Sequence, residues 1–274
     1  MNSLFVAYKP SGIGSNQFLS KLKRKYGVKK AGFTGTLDPF AKGVLIIGFG
    51  SHTKLFRFLN KTPKKYRATL WLGAKSDSLD TEMIEQVEVL KAFPHAKVQE
   101  VVKSLEGELE YEPPIFSAKR IDGKIAYDLA RAGKEFTLNK INSTIYETKL
   151  LSYCHPFVTF EAEVSEGTYI RSLGLIIAKR LGLACGSLSA LERLNEGQFI
   201  YEDEKPLDIK KSLNISQNRY LGDSENIKYG RVIALEDLEI KDDGYYWLDN
   251  GNNISVINVE NTKVKYELGR IYIC

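Results

Sequence analysis

The chain has 274 residues, 43% of them hydrophobic, with 39 Lys+Arg against 34 Asp+Glu for a formal net charge of +5. Such a length allows one large domain plus a small one and buries enough surface to need no disulfide or metal staple, while the composition excludes disorder, collagen-like repeats and coiled coil. No apolar run approaches the ~20 residues of a membrane helix and no signal-peptide layout opens the chain, so a soluble, cytoplasmic protein is expected.

Residues 15–27 open with a serine suited to an N-cap, place Phe18, Leu19, Leu22 and Tyr26 on one helical face and end in Gly, which predicts an amphipathic helix with a basic outer face. Asp38-Pro39 predicts the start of a second short helix, followed by Ala41, Val44 and Leu45. Residues 66–72 alternate, with Tyr66, Ala68, Leu70 and Leu72 on one face, as a strand does. Residues 96–106 read as a helix, and Pro113-Pro114 then breaks the chain. Residues 124–132 read as an amphipathic helix, Ile125, Ala126, Leu129 and Ala130 inward, Arg131 and Lys134 outward. Residues 157–164 alternate again, and after a Gly167-Thr168 turn residues 169–181 pass from extended to helical. Beyond Phe199 the chain is polar and of mixed charge as far as Asn226. Four β-like runs follow, 245–248, 254–259, 263–266 and 270–273, separated by Asp-Gly, Asn-Gly and Leu-Gly turns, a small all-β appendix.

Charge is distributed unevenly. Residues 1–75 hold fifteen Lys/Arg and a single acid, Asp38, a balance of +14, whereas the remainder holds 24 bases and 33 acids, a balance of −9. A polyanion-binding face on an otherwise acidic globule follows, and nucleic acid is the leading partner class. Residues 211–274, with 8 bases and 10 acids, lack that character. Cys154, Cys185 and Cys274 are odd in number and far apart, and His52, His95 and His155 have no ligand spacing, so neither a disulfide framework nor a zinc site is expected.

Asp38 is therefore the notable acid, held in Gly35-Thr-Leu-Asp-Pro39. Read alone it is either a helix cap or a reactive carboxylate projected from a rigid turn and kept ionised by positive surroundings; residue logic does not choose between them.

Several blocks resemble, in order and spacing, the TruB family of tRNA pseudouridine synthases. They are Lys9-Pro-Ser-Gly12, Gly32-Phe-Thr-Gly-Thr-Leu-Asp-Pro-Phe-Ala-Lys-Gly-Val-Leu45, Lys65-Tyr-Arg67, Pro113-Pro-Ile-Phe-Ser-Ala-Lys119, Ala126-Tyr-Asp-Leu-Ala-Arg131 and Gly167-Thr-Tyr-Ile-Arg-Ser-Leu173. The resemblance covers about residues 3–199. It implies an α+β catalytic domain on a mixed, mostly antiparallel sheet over residues 1–210, with a mobile RNA-gripping arm at about 117–138. A shortened PUA-like β domain over 211–274 completes the chain. The activity implied is isomerisation of uridine 55 in the T loop of tRNA to pseudouridine, with the target base flipped out of the folded elbow. No cofactor, metal, membrane or obligatory protein partner is implied, and the protein is expected to act as a monomer.

By the same resemblance Asp38 takes the family's catalytic aspartate role. Arg171 pairs with it, a guanidinium fork fixing the carboxylate while keeping it charged. Tyr66 stacks on the target base and handles a proton, and Tyr169 and Leu191 line the uridine pocket. Lys9, Lys64, Lys65, Arg67, Lys119, Arg120 and Arg131 are expected to meet RNA. The chain departs from the family at Phe33, where a histidine is usual and a ring can stack on a base without hydrogen-bonding, and at Gly14, where threonine is usual. The acidic balance of the appendix is a third departure, and its removal is expected to cost tRNA affinity only modestly.

Overall fold

Strands whose successive side chains point to opposite faces build the main sheet, and helices then cover one of those faces. The computed structural model describes residues 1–273 apart from Ala118, Asp122 and Glu135. Cys274 thus lies outside the described residues.

In chain order the first elements are β1 (Ser3–Lys9), α1 (Ser15–Lys25), β2 (Ala31–Phe33), β3 (Lys42–Phe49), a 3₁₀ helix (Gly50–Phe58) and β4 (Lys64–Leu72). A small pair, β5 (Ala74–Lys75) with β6 (Gln86–Val87), precedes α2 (His95–Lys103) and β7 (Gly107–Tyr111). A second small pair, β8 (Arg120–Ile121) with β9 (Lys124–Ile125), leads into α3 (Ala126–Arg131). Then come β10 (Ile141–Cys154), β11 (Phe157–Val164), α4 (Ile170–Arg180) and β12 (Gly186–Glu196). The chain ends with α5 (Ile209–Ser212), β13 (Ser216–Gln217), α6 (Ser224–Tyr229), β14 (Gly244–Asp249), β15 (Asn253–Glu260) and β16 (Lys263–Tyr272).

Eight strands form the main sheet in the order β1-β3-β12-β4-β11-β10-β7, with β2 also on β3. Every pairing is antiparallel except β3 with β12. The architecture is the expected α+β one on a mixed, mostly antiparallel sheet. Among the described residues no helix is long and apolar enough to cross a membrane.

Period-two alternation sends Phe5 and Ala7 of β1, Leu45, Ile47 and Phe49 of β3, and Tyr66, Ala68, Leu70 and Leu72 of β4 to one face. There they meet Phe18 and Leu22 of α1, Val98, Val101 and Val102 of α2, and Leu173 and Ile177 of α4 in the main core. On the opposite face, Leu4, Val6, Val44 and Ile46 form a second core with Leu55 and Phe58 and with Trp247, Ile254, Val256, Leu268 and Ile271 of the C-terminal strands. The sheet β13-β14-β15-β16 is thus fastened to the back of β1 and β3 by apolar burial.

Four expectations need correction. No helix follows Asp38-Pro39: apart from one turn, in which the Ala41 amide donates to the Asp38 carbonyl at 3.1 Å, the chain enters strand β3. Val44 to Ile47 are buried on both faces of a central strand, so their run of apolar residues has no two-residue period by which to recognise it. Ser15 does not cap α1; Gly14 holds the cap position, and Ser15 Oγ is spent on the loop described below. Finally, Leu268-Gly269 is no turn, because β16 runs through it with register shifts against β15 near Val256. The helix expected over 124–132 is shortened to α3, since Lys124 and Ile125 pair with β8.

Candidate active site

The loop between β2 and β3 carries Asp38 and is tied down along its length. The Thr34 amide donates to the Ile46 carbonyl at 3.1 Å, extending the ladder of β2. Ser15 Oγ both accepts from the Leu37 amide and donates to the Leu37 carbonyl, each at 2.9 Å. The Gly12 amide donates to the Pro39 carbonyl at 2.8 Å. Asp38 is left on a short span between Leu37 and Pro39, both held, with its side chain 35% exposed.

Arg171, in the first turn of α4 and 5% exposed, places Nε 3.0 Å from Asp38 Oδ2. Its other donors are engaged elsewhere. Nη1 donates to the Ser78 carbonyl at 2.7 Å and faces Asp80 Oδ2 at 3.6 Å, while Nη2 donates to the Phe116 carbonyl at 2.8 Å. The expected fork therefore does not grip Asp38 with two bonds; it is spread over four groups, which orients the guanidinium through the protein and leaves one nitrogen for the carboxylate. Asp80 is buried and held by Ser78 Oγ at 2.5 Å and the Glu82 amide at 2.9 Å. Asp80 escaped the sequence reading; an acid inside the serine-rich stretch Ser76-Asp-Ser-Leu-Asp80 was the available signal.

Burial pushes the Asp38 carboxyl above its ordinary range, the charge of Asp80 adds to this, and Arg171 and Lys9 oppose it. Lys9, expected to meet RNA, is 0% exposed. Its ammonium donates to the carbonyls of Ile13 at 2.6 Å, Pro10 at 3.0 Å and Pro39 at 3.5 Å. Burial lowers it to about 8 against the pull of Asp38. Lys9 thus staples backbone around Asp38 and reaches no phosphate.

Asp38, Tyr66, Tyr169, Arg171 and Leu191 line one cleft of about 310 Å³, together with Lys64, Glu166 and Ser117. Tyr66 and Leu191 come from neighbouring strands, β4 and β12, which pair Tyr66 with Arg193 and Ala68 with Leu191. Tyr169 precedes α4, its amide donating to Tyr111 Oη at 3.0 Å. A larger groove of about 940 Å³ lies on the C-terminal sheet, beside Asn218, Arg219 and Asn250; the smaller cleft is the candidate site because the half-buried acid and its buried cation are there.

The remaining expected cations do not form one surface. Lys64 shares the cleft face with Tyr66 and lies 3.5 Å from Glu166. Lys65 and Arg67 project from the other face of β4, where both contact Glu161, at 3.2 and 2.7 Å. Strand alternation separates neighbours that the sequence reading grouped together. In the arm, Lys119 donates to the Asn139 carbonyl, Arg120 and Arg131 are exposed, and Arg131 stands over the Tyr127 ring at 5.4 Å. Phe33 pairs with Ile47 and leans, half-buried, on the main core rather than lining the cleft. Among the described residues no ion pair forms at Lys21, Lys23, Arg24, Lys29 or Lys30, on or just after α1.

Residues 23–170 match the family described as TruB family pseudouridylate synthase, N-terminal domain. The chain is 76% identical over 271 residues to the tRNA pseudouridine synthase B of Sulfurimonas denitrificans, covering 99% of both chains. It is 51% identical to the protein of that name from a Sulfurovum species, covering 99% of this chain and 98% of the relative. Among solved structures it resembles a chain of a Cbf5-Nop10-Gar1 complex with a TM-score of 0.66 at 18% identity, covering 99% of this chain and 84% of that one, a likeness of fold. An acid and arginine paired in a cleft, the family match and full-length identity of this degree agree: the chain belongs to the TruB family of pseudouridylate synthases.

Proposed function

We propose that this enzyme forms pseudouridine in tRNA, that its target is uridine 55 of the T loop, and that it works in the cytoplasm as a monomer without cofactor. The reaction cuts the N1–C1′ bond, turns the uracil and joins C5 to C1′; the C5 proton is lost and N1 regains one, so nothing is oxidised or hydrolysed overall. Asp38 is the reacting group, whether it attacks C1′, adds to C6 of the base or removes a sugar proton. Each route requires it ionised and in contact with the nucleotide. The Asp38–Arg171 pair at 3.0 Å on the floor of a nucleoside-sized cleft is the observation that carries this reading.

A cleft of about 310 Å³ admits one nucleoside and not a stacked helix. The target is therefore flipped out of the tRNA elbow, at a cost of a few kcal/mol. Stacking on Tyr66 and phosphate contacts from the cations of the arm and of the first 75 residues offset that cost. Incubation of the purified protein with unmodified tRNA transcript, followed by carbodiimide mapping of reverse-transcription stops, tests the assignment: the expected result is a single stop at the T-loop uridine. A stop elsewhere overturns the position, and none at all overturns the activity.

A further inference from the structure

Beneath the loop that carries Asp38 lies a buried ion pair that takes no part in the reaction as described. Arg193 and Glu196, at the end of β12, are 1% and 0% exposed, and Arg193 Nη2 meets Glu196 Oε1 at 2.6 Å. Their remaining contacts lead to the loop or to the strand it enters. Arg193 Nη2 donates to the Gly35 carbonyl at 2.8 Å, Nε donates to the Val44 carbonyl at 2.9 Å, and Thr34 Oγ1 donates to Glu196 Oε2 at 2.6 Å.

Shape agrees with bonding. Gly35 has φ +51°, and a Cβ there would stand 2.9 Å from Arg193 Nη1 and 3.0 Å from Glu196 Oε1. At the other end of the loop Gly43 has φ +121°, and a Cβ there would stand 2.2 Å from the Arg193 carbonyl oxygen. Only bare glycine lets the backbone settle this closely at either end.

We propose that Arg193 and Glu196 are positioning residues for the reaction: a buried charged saddle on which the loop over residues 34–43 is seated, so that Asp38 stands at reacting distance from the bound nucleoside. The inference rests on the reading of Asp38 as the reacting carboxylate. Stability alone does not explain such a pair, because burying two charges is costly and apolar side chains of similar volume usually serve as well or better. What apolar side chains cannot supply is directed bonds to Gly35, Val44 and Thr34. Misplacing a reacting group by about 1 Å costs on the order of a hundredfold in rate.

The test compares three variants with wild type on unmodified tRNA transcript, reading kcat, KM, melting temperature and the acid limb of kcat against pH. Arg193→Met with Glu196→Leu replaces the saddle by apolar volume; it is expected to melt at or above the wild-type temperature, with KM within about twofold and kcat lowered about a hundredfold. Thr34→Val removes one hydroxyl and keeps the ion pair; kcat is expected to fall about tenfold. Asp38 faces Arg171, Lys9 and Asp80. Loosening it from Arg171 leaves burial and Asp80 to raise its pKa further, so the acid limb moves to higher pH in both variants. Wild-type kcat with an unmoved acid limb in either variant, once folded, overturns the proposal, and Thr34→Val decides if the double variant does not fold. Asp38→Asn is the control: if it still turns over, the reading of Asp38 fails, a result separate from failure of the saddle.

Discussion

Both faces of the main sheet are sealed by apolar packing, but among the described residues the buried acids, lysines and arginines lie on one side only. On the face packed against the helices, charged groups are buried next to the site: Lys9, Asp80, Arg171, Arg193 and Glu196, each matched by carbonyls, amides or an opposite charge. On the other face, β1 and β3 meet the C-terminal sheet through Leu4, Val6, Val44, Ile46, Trp247, Ile254, Val256 and others, with buried His52 beside them, its Nε2 2.7 Å from the Tyr272 carbonyl oxygen. Buried charge costs stability and fixes geometry; buried hydrocarbon does the reverse. The enzyme thus has a face built for placement and a face built for cohesion, and substitutions on the two should differ in kind.

The sharpest way to break this division is Asp38→Asn. It is expected to abolish turnover while leaving tRNA affinity within about tenfold, since no phosphate contact is removed. Single-turnover assay and filter binding on the same preparation would show it, and a melting temperature that fell with activity would blur the contrast.

Deleting residues 211–274 addresses the cohesive face. The acidic balance of that segment suggested a modest effect on affinity, but the cut uncovers Leu4, Val6, Val44 and Ile46, each worth on the order of 1.5 to 3 kcal/mol when fully buried. Loss of the cooperative thermal transition, ahead of any effect on binding, is the expected outcome. A shortened chain melting like the full one would show that this core is dispensable.

Arg171→Lys lies on the placement face. A single ammonium nitrogen cannot take the three separate positions from which Nε, Nη1 and Nη2 reach Asp38, Ser78 and Phe116, so activity should fall well below wild type with affinity little changed. The pH profile sharpens the point. With the Asp38 carboxyl held above its ordinary range, its reactive anion forms as pH rises, so activity climbs through an inflection above that of a free aspartate; poorer pairing in the variant moves the inflection higher still. In stability the sign is reversed. A carboxyl whose folded pKa is raised binds its proton more tightly in the folded state, so its contribution declines as pH rises from the unfolded value through the folded one.

Phe33→Ala removes a ring lying between the two roles. As placed, half-buried on the core, it should lower the melting temperature by a few degrees, the effect of about 1 kcal/mol. A selective loss of kcat/KM at an unchanged melting temperature would instead mark a ring that stacks on RNA. The smallest effect is expected at Arg67→Gln. Because Glu161 already contacts both Lys65 and Arg67, the slope of log affinity against log salt should change by less than the roughly one unit of a free phosphate contact.

Much of this was legible in the residues, for physical reasons that differ from element to element. α1 and β4 each expose one face, so their periods of 3.6 and 2 survive in the sequence. β3 is buried on both faces and carries no period; followed by Ala41, Val44 and Leu45, Asp38-Pro39 mimicked a helix start. β10 carries many polar residues on a largely solvated strand and offered little pattern. In the site, order and spacing of motifs named Asp38, Tyr66, Tyr169, Arg171 and Leu191, which converge on one cleft. Lys9 was misread because composition does not reveal direction: the same ammonium serves a phosphate outside or three carbonyls inside. Arg193 and Glu196 were missed altogether, although two charges three apart at the end of a core strand are the mark of a pair that must be satisfied internally.

The double burial of β3 has one more consequence. Leu45 and Ile47 face one core, Val44 and Ile46 the other, β1 pairs along the whole strand, and β2 and β12 share its second edge. No local opening bares these amides, so their hydrogen exchange should require unfolding of the whole molecule and be among its slowest. The loop that carries Asp38 runs directly into that strand. The Asp38 carboxylate is thus mounted beside the strand expected to open last.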